Sequence, residues 1–369
     1  MIIDTVYDGY TKWLYDANPD LENQTYSIQH SKSVLGGFHN ATVWAEPLRK
    51  LGCEVMDVFY NQVPLQVRWC LENGQKKLLE KYSKESDSNS LILSFKNVLE
   101  WQEKIVKQQV RSFQPDLIWV ADLFSLSGNF LEKIAGEYKF AVGEITSSID
   151  GINLDNFDLI VSGALPIVRQ LRRQGKASEL LLHGFREQIL DRLSPANKKY
   201  EISFVGQLTG GRPELLRELS KYININVWAT SPWDKVETES IKGLHWHQPV
   251  FGIEMYQTLR NSKIVINHHI DAVKNYASNQ RLYEVTGVGA LLLTDKSSNL
   301  EELFKIDQEI VCYSNLKECA DTAMYYIDNP IERERITLAG TKRTLSSHTV
   351  EHRSHNIISI LKNYFPELF

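Results

Sequence analysis

The stretch Lys263–Asp295, KIVINHHIDAVKNYASNQRLYEVTGVGALLLTD, concentrates the polar chemistry of this chain. It reads as strand, loop, helix, glycine turn and strand. Asn267, His268, His269 and Asp271 fall where the first strand stops, and a core strand gains nothing from two adjacent histidines. Neighbouring residues of an extended backbone point to opposite faces, so hydrogen bonding in a cleft is expected here rather than a metal site. His245 and His247 of HWHQPVFG are spaced for chelation, but as loop imidazoles they are expected to be solvated. The helix that follows the cluster is predicted to begin near Ser278-Asn279. Its first turn offers unpaired N–H groups and Arg281 adds a fixed charge, which together suit a phosphate. Glu284, three residues beyond Arg281, can face the same side and accept hydrogen bonds from a ribose diol. The plainer alternative is an exposed Arg–Glu pair.

A second anion candidate is the glycine-bearing loop Gly206–Arg212 after the strand EISFVG. Glycines let a backbone approach a ligand closely and Arg212 can meet a diphosphate, unless the Gly-Gly turn merely joins strand to helix. In the first half, Gly36-Gly37-Phe38-His39 forms a glycine-bearing loop, and Asp122 and Glu144 stand at or near strand ends. His39, Asp122 and Glu144 are the acid/base candidates, because such groups at a cleft can reach an acceptor hydroxyl directly or through one water. Otherwise Asp122 is a helix cap and Glu144 a solvated loop residue.

The elements that would position these groups recur along the whole chain. Short apolar runs alternate with amphipathic stretches, the pattern of parallel strands joined by crossover helices. MIIDTVY, EVMDVFY, DLIWVAD, FAVGEIT, DLIVSG and ELLLHG read as strands in the first half, and EISFVG, INVWAT, KIVINHH, ALLLTD and EIVCYS in the second. Helices are predicted around residues 41–51, 65–82, 91–113, 126–138 and 166–174, then 212–222, 253–260, 279–285, 300–304, 316–327 and 331–345. The rhythm breaks at HGFREQILDRLSPANKKY, which sets a domain boundary within His183–Tyr200. Two α/β domains follow, as a length of 369 residues also suggests, and their facing strand ends make an interdomain cleft.

Composition and absences narrow the function. Hydrophobic residues make up 43% and charged ones 24%, and the net charge of −5 argues against a chain that wraps nucleic acid. No phosphate loop, dinucleotide fingerprint, nucleophile elbow or zinc helix is present, so ATPase, simple dehydrogenase, serine hydrolase and zincin chemistry have no anchor. Cys53, Cys70, Cys312 and Cys319 contain no C-x-x-C pair and are expected to be free thiols in a reducing compartment. MIIDTVYDGY carries Asp4 and Asp8 and lacks a basic leader, and no apolar run reaches the ~18–20 residues of a membrane span. A cytoplasmic protein is expected.

The blocks NQRLYEVTGVGALLLTD, NLEELF, EIVCYSNLKECADTAMYYIDNP and RITLAGTKRTLSSHTVEHR, in that order and spacing, resemble the group-1 type glycosyltransferases of the GT-B fold. The resembling branch is the one related to the CgeB spore-maturation protein. FVGQLTGGRPELLREL is similar to the first strand, loop and helix of the same nucleotide-sugar domain, and LRKLGCEVMDVFYNQVPLQVRWCLENG with QPDLIWVADL is similar to the acceptor-side domain. The resemblance implies two facing Rossmann-like domains, residues 1–185 and 186–346, with a final segment 347–369 packing back toward the first. It implies a nucleotide-diphosphate sugar as donor substrate, no cofactor, no required metal, and a carbohydrate, small-molecule or protein acceptor. Glu284 then resembles the glutamate that holds the donor ribose, with Gly206, Arg212, Asn279 and Arg281 facing the diphosphate. Retaining members of the larger group carry a second glutamate eight positions earlier, where this chain has Tyr276. Asn267, His268 and Asp271 are expected to supply polar donor contacts instead. A nucleotide-sugar epimerase or hydrolase, or a non-catalytic binding protein, is the competing expectation.

Overall fold

The computed structural model describes residues 1–37, 41–82, 98–230, 241–269, 273 and 275–369. Two six-stranded, wholly parallel sheets organise them. The first contains β1 Ile2–Asp4, β2 Asp57–Phe59, β3 Leu117–Val120, β4 Phe140–Glu144, β5 Leu159–Ser162 and β6 Ser178–Leu180 in the order β2-β1-β3-β4-β5-β6. The second contains β7 Tyr200–Gln207, β8 Ile225–Thr230, β9 Leu244–His247, β10 Ser262–Asn267, β11 Leu291–Asp295 and β12 Val311–Tyr313 in the order β12-β11-β10-β7-β8-β9. The second order is that of dinucleotide-binding domains. Connections leave in opposite directions between β1 and β3 in one sheet and between β7 and β10 in the other. Crevices therefore open beyond Asp4 and Val120, and beyond Gln207 and Asn267.

Strands buried on both faces explain why their sequences are near-continuous apolar runs. Ile3, Ile118, Val120, Ala141 and Ile160 pack on one face of the first sheet, while Ile2, Trp119, Val142, Leu159 and Val161 pack on the other. This is the two-residue alternation of a pleated strand. The second sheet repeats it, with Ile202, Phe204, Val227, Ile264 and Leu291 on one face and Val205, Trp228, Val265 and Leu292 on the other.

The chain crosses between the sheets twice, and the crossings are bonded together. Phe185 N–H donates to His348 O at 2.8 Å and Val350 N–H donates to Phe185 O at 2.9 Å. Buried Arg353 clamps them, donating through Nε to His183 O at 3.1 Å and through Nη1 to Ser347 O at 3.3 Å. Beyond this hinge the helix Val350–Tyr364 lays Val350, Ile357 and Leu361 on the first sheet's outer face, against Trp119, Val142 and Leu159. Elsewhere Phe251 of the second half inserts among Val6, Tyr10, Leu14 and Phe59, and Val273 and Tyr276 join the core of the first sheet. At Gly252, with φ +50°, an added Cβ would collide with the Gly36 carbonyl oxygen, so the two halves touch backbone to backbone.

Several elements differ from the sequence expectation. Helices Asp8–Asp16 and Tyr26–Gly36 follow β1, where no helix is predicted. The predicted helix at 65–82 is two, Val63–Glu72 and Lys76–Tyr82, because the chain turns at Gly74 with φ +70°. The helix near 126–138 is confined to Gly128–Lys133, and residues 91–97 lie outside the described residues. LHWH is not a loop but the edge strand β9, with Leu244 buried and Trp246 half-buried on the core side while His245 is exposed. His247 stacks on Trp228 with ring centroids 4.2 Å apart and its Nε2 lies 2.9 Å from Asn226 Oδ1, so it packs rather than being solvated.

Because the final helix covers the first sheet, its core residues are load points for that domain. Ile357→Ala is expected to lower stability by about 2–5 kcal/mol through lost burial and the cavity left behind. Urea unfolding of the whole chain checks this, and an unchanged midpoint would show that the helix does not seal the sheet.

Candidate nucleotide-sugar site

The crevice of the second sheet is a pocket of about 200 Å³ whose wall includes Gly206, Gln207, Arg212, Asn267, Asn279, Arg281 and Glu284. Its apolar lining includes Trp228, Val250 and Phe251, with Phe204 from the other face of the sheet, and Tyr7 and Gly37 close it from the first domain. Arg212 opens the helix Arg212–Leu219 and turns back across the strand ends. Its Nε and Nη2 donate to His268 O at 3.0 and 2.8 Å, and its Nη1 donates to Gln207 O at 3.1 Å. Burial, with the neighbouring Arg281 charge, holds Arg212 below the usual guanidinium range. A guanidinium keeps its proton under such shifts, so two positive groups share this crevice.

Arg281 begins the helix Arg281–Gly287, two residues later than expected from sequence. Its Nη1 pairs with Glu284 Oε2 at 2.8 Å, and both side chains are largely buried. The i, i+3 spacing therefore builds a cleft pair and not a surface one. Tyr256, on the helix Gly252–Arg260, donates its hydroxyl to Glu284 Oε1 at 3.1 Å. Burial and the Glu284 charge push the Tyr256 phenol well above its ordinary value. It is a fixed donor that sequence spacing could not reveal, lying 28 residues from its partner.

The strand ends carry a polar chain. Asn279 Nδ2 donates to Asn267 Oδ1 at 2.8 Å, and Asn267 Nδ2 donates to Thr294 Oγ1 at 2.9 Å. His268 does not line this pocket. Its ring turns toward β11 and β12, where Nδ1 lies 3.2 Å from the Tyr313 hydroxyl and 3.6 Å from Asp295 Oδ2, and its carbonyl serves the site by anchoring Arg212. Asp271 lies outside the described residues.

A second cavity of about 520 Å³ adjoins the first, sharing Tyr7, Gln207, Asn279 and Gln280 with it. Its first-domain wall carries Asp122, Glu144, Thr146 and His183, and His269 stands on the opposite wall. Asp122 is engaged at both oxygens. Tyr60 donates its hydroxyl to Oδ2 at 2.5 Å, and the N–H groups of Phe124 and Ser125 donate to Oδ1 at 3.1 and 3.2 Å. Glu144 is half-buried and accepts from Trp119 Nε1 at 2.9 Å. Desolvation and the nearby Asp4 carboxylate push it up to about 7. His183, at the hinge, is pushed down to about 4 by burial and the Arg353 charge. His39 lies outside the described residues. Tyr276 reaches neither cavity wall but is 7% exposed within the first-domain core.

Among the described residues no group of three or more His, Cys, Asp or Glu is placed to hold a metal ion, and none of the four cysteines is paired. No helix among them is long and apolar enough to cross a membrane.

Residues 212–359 match a family model described as glycosyl transferase-like. No curated protein matches the chain. Among solved structures, a glycosyltransferase from Rickettsia africae is 12% identical, covering 87% of this chain and 93% of that one with a TM-score of 0.56. Sucrose-phosphate synthase from Thermosynechococcus elongatus is 10% identical over 77% of this chain and 82% of its own, TM-score 0.55. HepE from Anabaena in complex with UDP-glucose is 10% identical over 71% and 82%, TM-score 0.56. At such identity the likeness is one of fold, and it agrees with the paired parallel sheets and their crevices. Residues 212–359 thus match a glycosyl transferase-like domain, and the chain as a whole takes the GT-B fold.

Proposed function

We propose that this protein moves a sugar from a nucleotide-diphosphate sugar to an acceptor hydroxyl, without a metal ion or other cofactor. The observation that carries this is the crevice of the second sheet, where Arg212, Arg281 and the anchored Glu284 stand beside an apolar shelf. The shelf suits a nucleobase, Glu284 suits the ribose diol, and the guanidiniums suit the diphosphate. Breaking the bond between the anomeric carbon and the phosphate oxygen leaves negative charge on the diphosphate. Two preorganised cations in a water-poor cleft stabilise that charge strongly. The solved HepE complexes with UDP and UDP-glucose support a donor of this class on this fold.

On the acceptor side Glu144 is the favoured proton acceptor, since a group titrating at about 7 is matched to general-base work near neutrality. Asp122 is the weaker candidate because both its oxygens already hold neighbouring groups. His39 keeps its place as a candidate from sequence. The sequence blocks around Asn279–Asp295 favour the CgeB-like branch, and a division into residues 1–185, 186–346 and 347–369 fits the two sheets and the final helix. Free thiols fit a cytoplasmic setting. Carbohydrates, small molecules and proteins are the acceptor classes, and nucleic acid is not a partner of a chain with net charge −5.

A thermal-shift screen against UDP, GDP, ADP and dTDP with EDTA present tests the donor site, because a ligand of the folded state raises its melting temperature. A rise with one of them is expected, and silence from all would overturn the proposal. Donor turnover without any acceptor would make the enzyme a hydrolase or epimerase. Glu284→Gln keeps an acceptor for Tyr256 but loses the charge, and is expected to weaken the bound diphosphate nucleotide by about ten- to a hundredfold. Calorimetry checks this, and unchanged affinity would discard the ribose assignment.

Glu144 has a separate signature. Its folded value of about 7 lies above the ordinary 4.5, so the folded protein holds this proton more tightly than the unfolded chain does. Its contribution to stability therefore falls as pH rises between those values and is level beyond them. Glu144→Gln, neutral throughout, is expected to gain on wild type as pH rises from about 4.5 to about 8. Urea unfolding at the two ends checks this, and a pH-independent difference would mean that Glu144 titrates normally.

A further inference from the structure

The polar chain at the strand ends terminates in a side chain that the donor pocket does not employ. His269 follows β10, is 6% exposed, and lines the larger cavity on its second-domain wall. Its Nδ1 lies 2.7 Å from Asp295 Oδ1, and its own backbone N–H donates to the same oxygen at 3.0 Å. These two contacts fix the ring. Burial alone would lift Asp295, but hydrogen bonds from His269 and the nearby His268 hold its carboxyl below the ordinary range. An ionised carboxylate only accepts, so the proton of a neutral imidazole sits on Nδ1 and Nε2 carries a lone pair. That Nε2 is buried and has no hydrogen-bond partner among the described residues. Buried polar atoms are nearly always paired, so this one is open to a partner from outside the described residues, and the cavity it lines can supply one.

The surroundings indicate which partner. Gln207, Asn279 and Gln280 line both this cavity and the pocket that holds Arg212 and Arg281. A group carried on a diphosphate at those arginines enters the cavity along the wall that His269 forms, with Glu144 on the first-domain wall. Tyr276, seven residues on from His269, is packed into the first-domain core and does not contribute to this wall. Resting on the sugar-transfer reading above, we infer that His269, oriented by Asp295, accepts a hydrogen bond from a hydroxyl of the sugar being transferred and so selects the donor. Asp295 acts through His269 and is a positioning residue.

The test compares UDP, GDP and ADP with UDP-glucose, GDP-mannose and ADP-glucose by calorimetry, in wild type, His269→Ala and Asp295→Asn. One free diphosphate binds, and in wild type a sugar ester of it binds about tenfold more tightly, the value of one added hydrogen bond. Both variants are expected to keep the free diphosphate within about twofold of wild type, which also shows them folded, and to lose the extra affinity of the ester. Donor analogues lacking single sugar hydroxyls sharpen this. Removing the hydroxyl that His269 reads should cost wild type about tenfold and cost His269→Ala nothing. An undiminished preference for the ester in both variants, or no preference in wild type, overturns the inference while the donor pocket stands. Failure of every diphosphate to bind overturns the sugar-transfer reading and the inference with it.

Discussion

In a parallel sheet every strand ends on the same edge, and a crevice can open only where the connections depart in opposite directions. That constraint places the crevice of the second sheet between β7 and β10. The carbonyls of Gln207 and His268 end those strands and would otherwise leave the crevice electronegative. Arg212 binds both of them. One side chain thereby ties two diverging strand ends together and reverses the sign of the field, and Arg281 reinforces it. Removing Arg212 would expose two carbonyls as well as delete a charge, which is why Lys, with no fork of donors, could not replace it.

The second sheet alone makes half a cleft. The other half is held in place by contacts of different kinds at separate points. The paired crossings at Phe185 and Thr349, clamped by Arg353, form the hinge. Phe251 and Tyr276 bury aromatic rings in clusters of the first domain. Phe251 also lines the pocket of the second sheet, so domain contact and pocket wall share a residue. Tyr276, from the second half of the chain, serves domain contact alone, packed in the core of the first sheet and on neither cavity wall.

Much of this was legible in sequence because it rests on local rules. Two sheets, the loop at Gly206–Arg212 and the Arg281–Glu284 pair follow from periodicity and short spacings. His268 and His269 lie just past the end of β10, and both rings come to Asp295, at 3.6 and 2.7 Å, although only His269 lines the larger cavity. Which of the two faces the cleft depends on how β10 lies against β11 and β12, and nothing in the local spacing specifies that. For the same reason Tyr256 and Asp295, distant in sequence from the groups they orient, carry no local signal. Edge strand β9 was hidden because its two histidines look like loop residues, whereas its register against β8 gives His247 a stacking partner in Trp228. The two helices at Asp8–Asp16 and Tyr26–Gly36 bury few residues, such as Tyr10 and Leu14 in the first, too few to mark a helical stripe.

The charge arrangement around Glu284 also explains how the site can be ordered before a ligand arrives. A carboxylate has about four lone-pair positions, and here one bond from Tyr256 and one from Arg281 occupy two of them. Two remain for a diol, so a ribose can be accepted without breaking either existing contact. Arg281 in turn is held by Glu284 at one nitrogen, and a guanidinium offers five donors. A diphosphate can bind the same group that Glu284 positions. Arg212 and Arg281 repel each other in this crevice, and each has a carboxylate that offsets the repulsion, Asp295 for Arg212 and Glu284 for Arg281. On the proposed reading the carboxylate acts twice, offering free lone pairs to the ribose diol and holding Arg281 in place for the diphosphate.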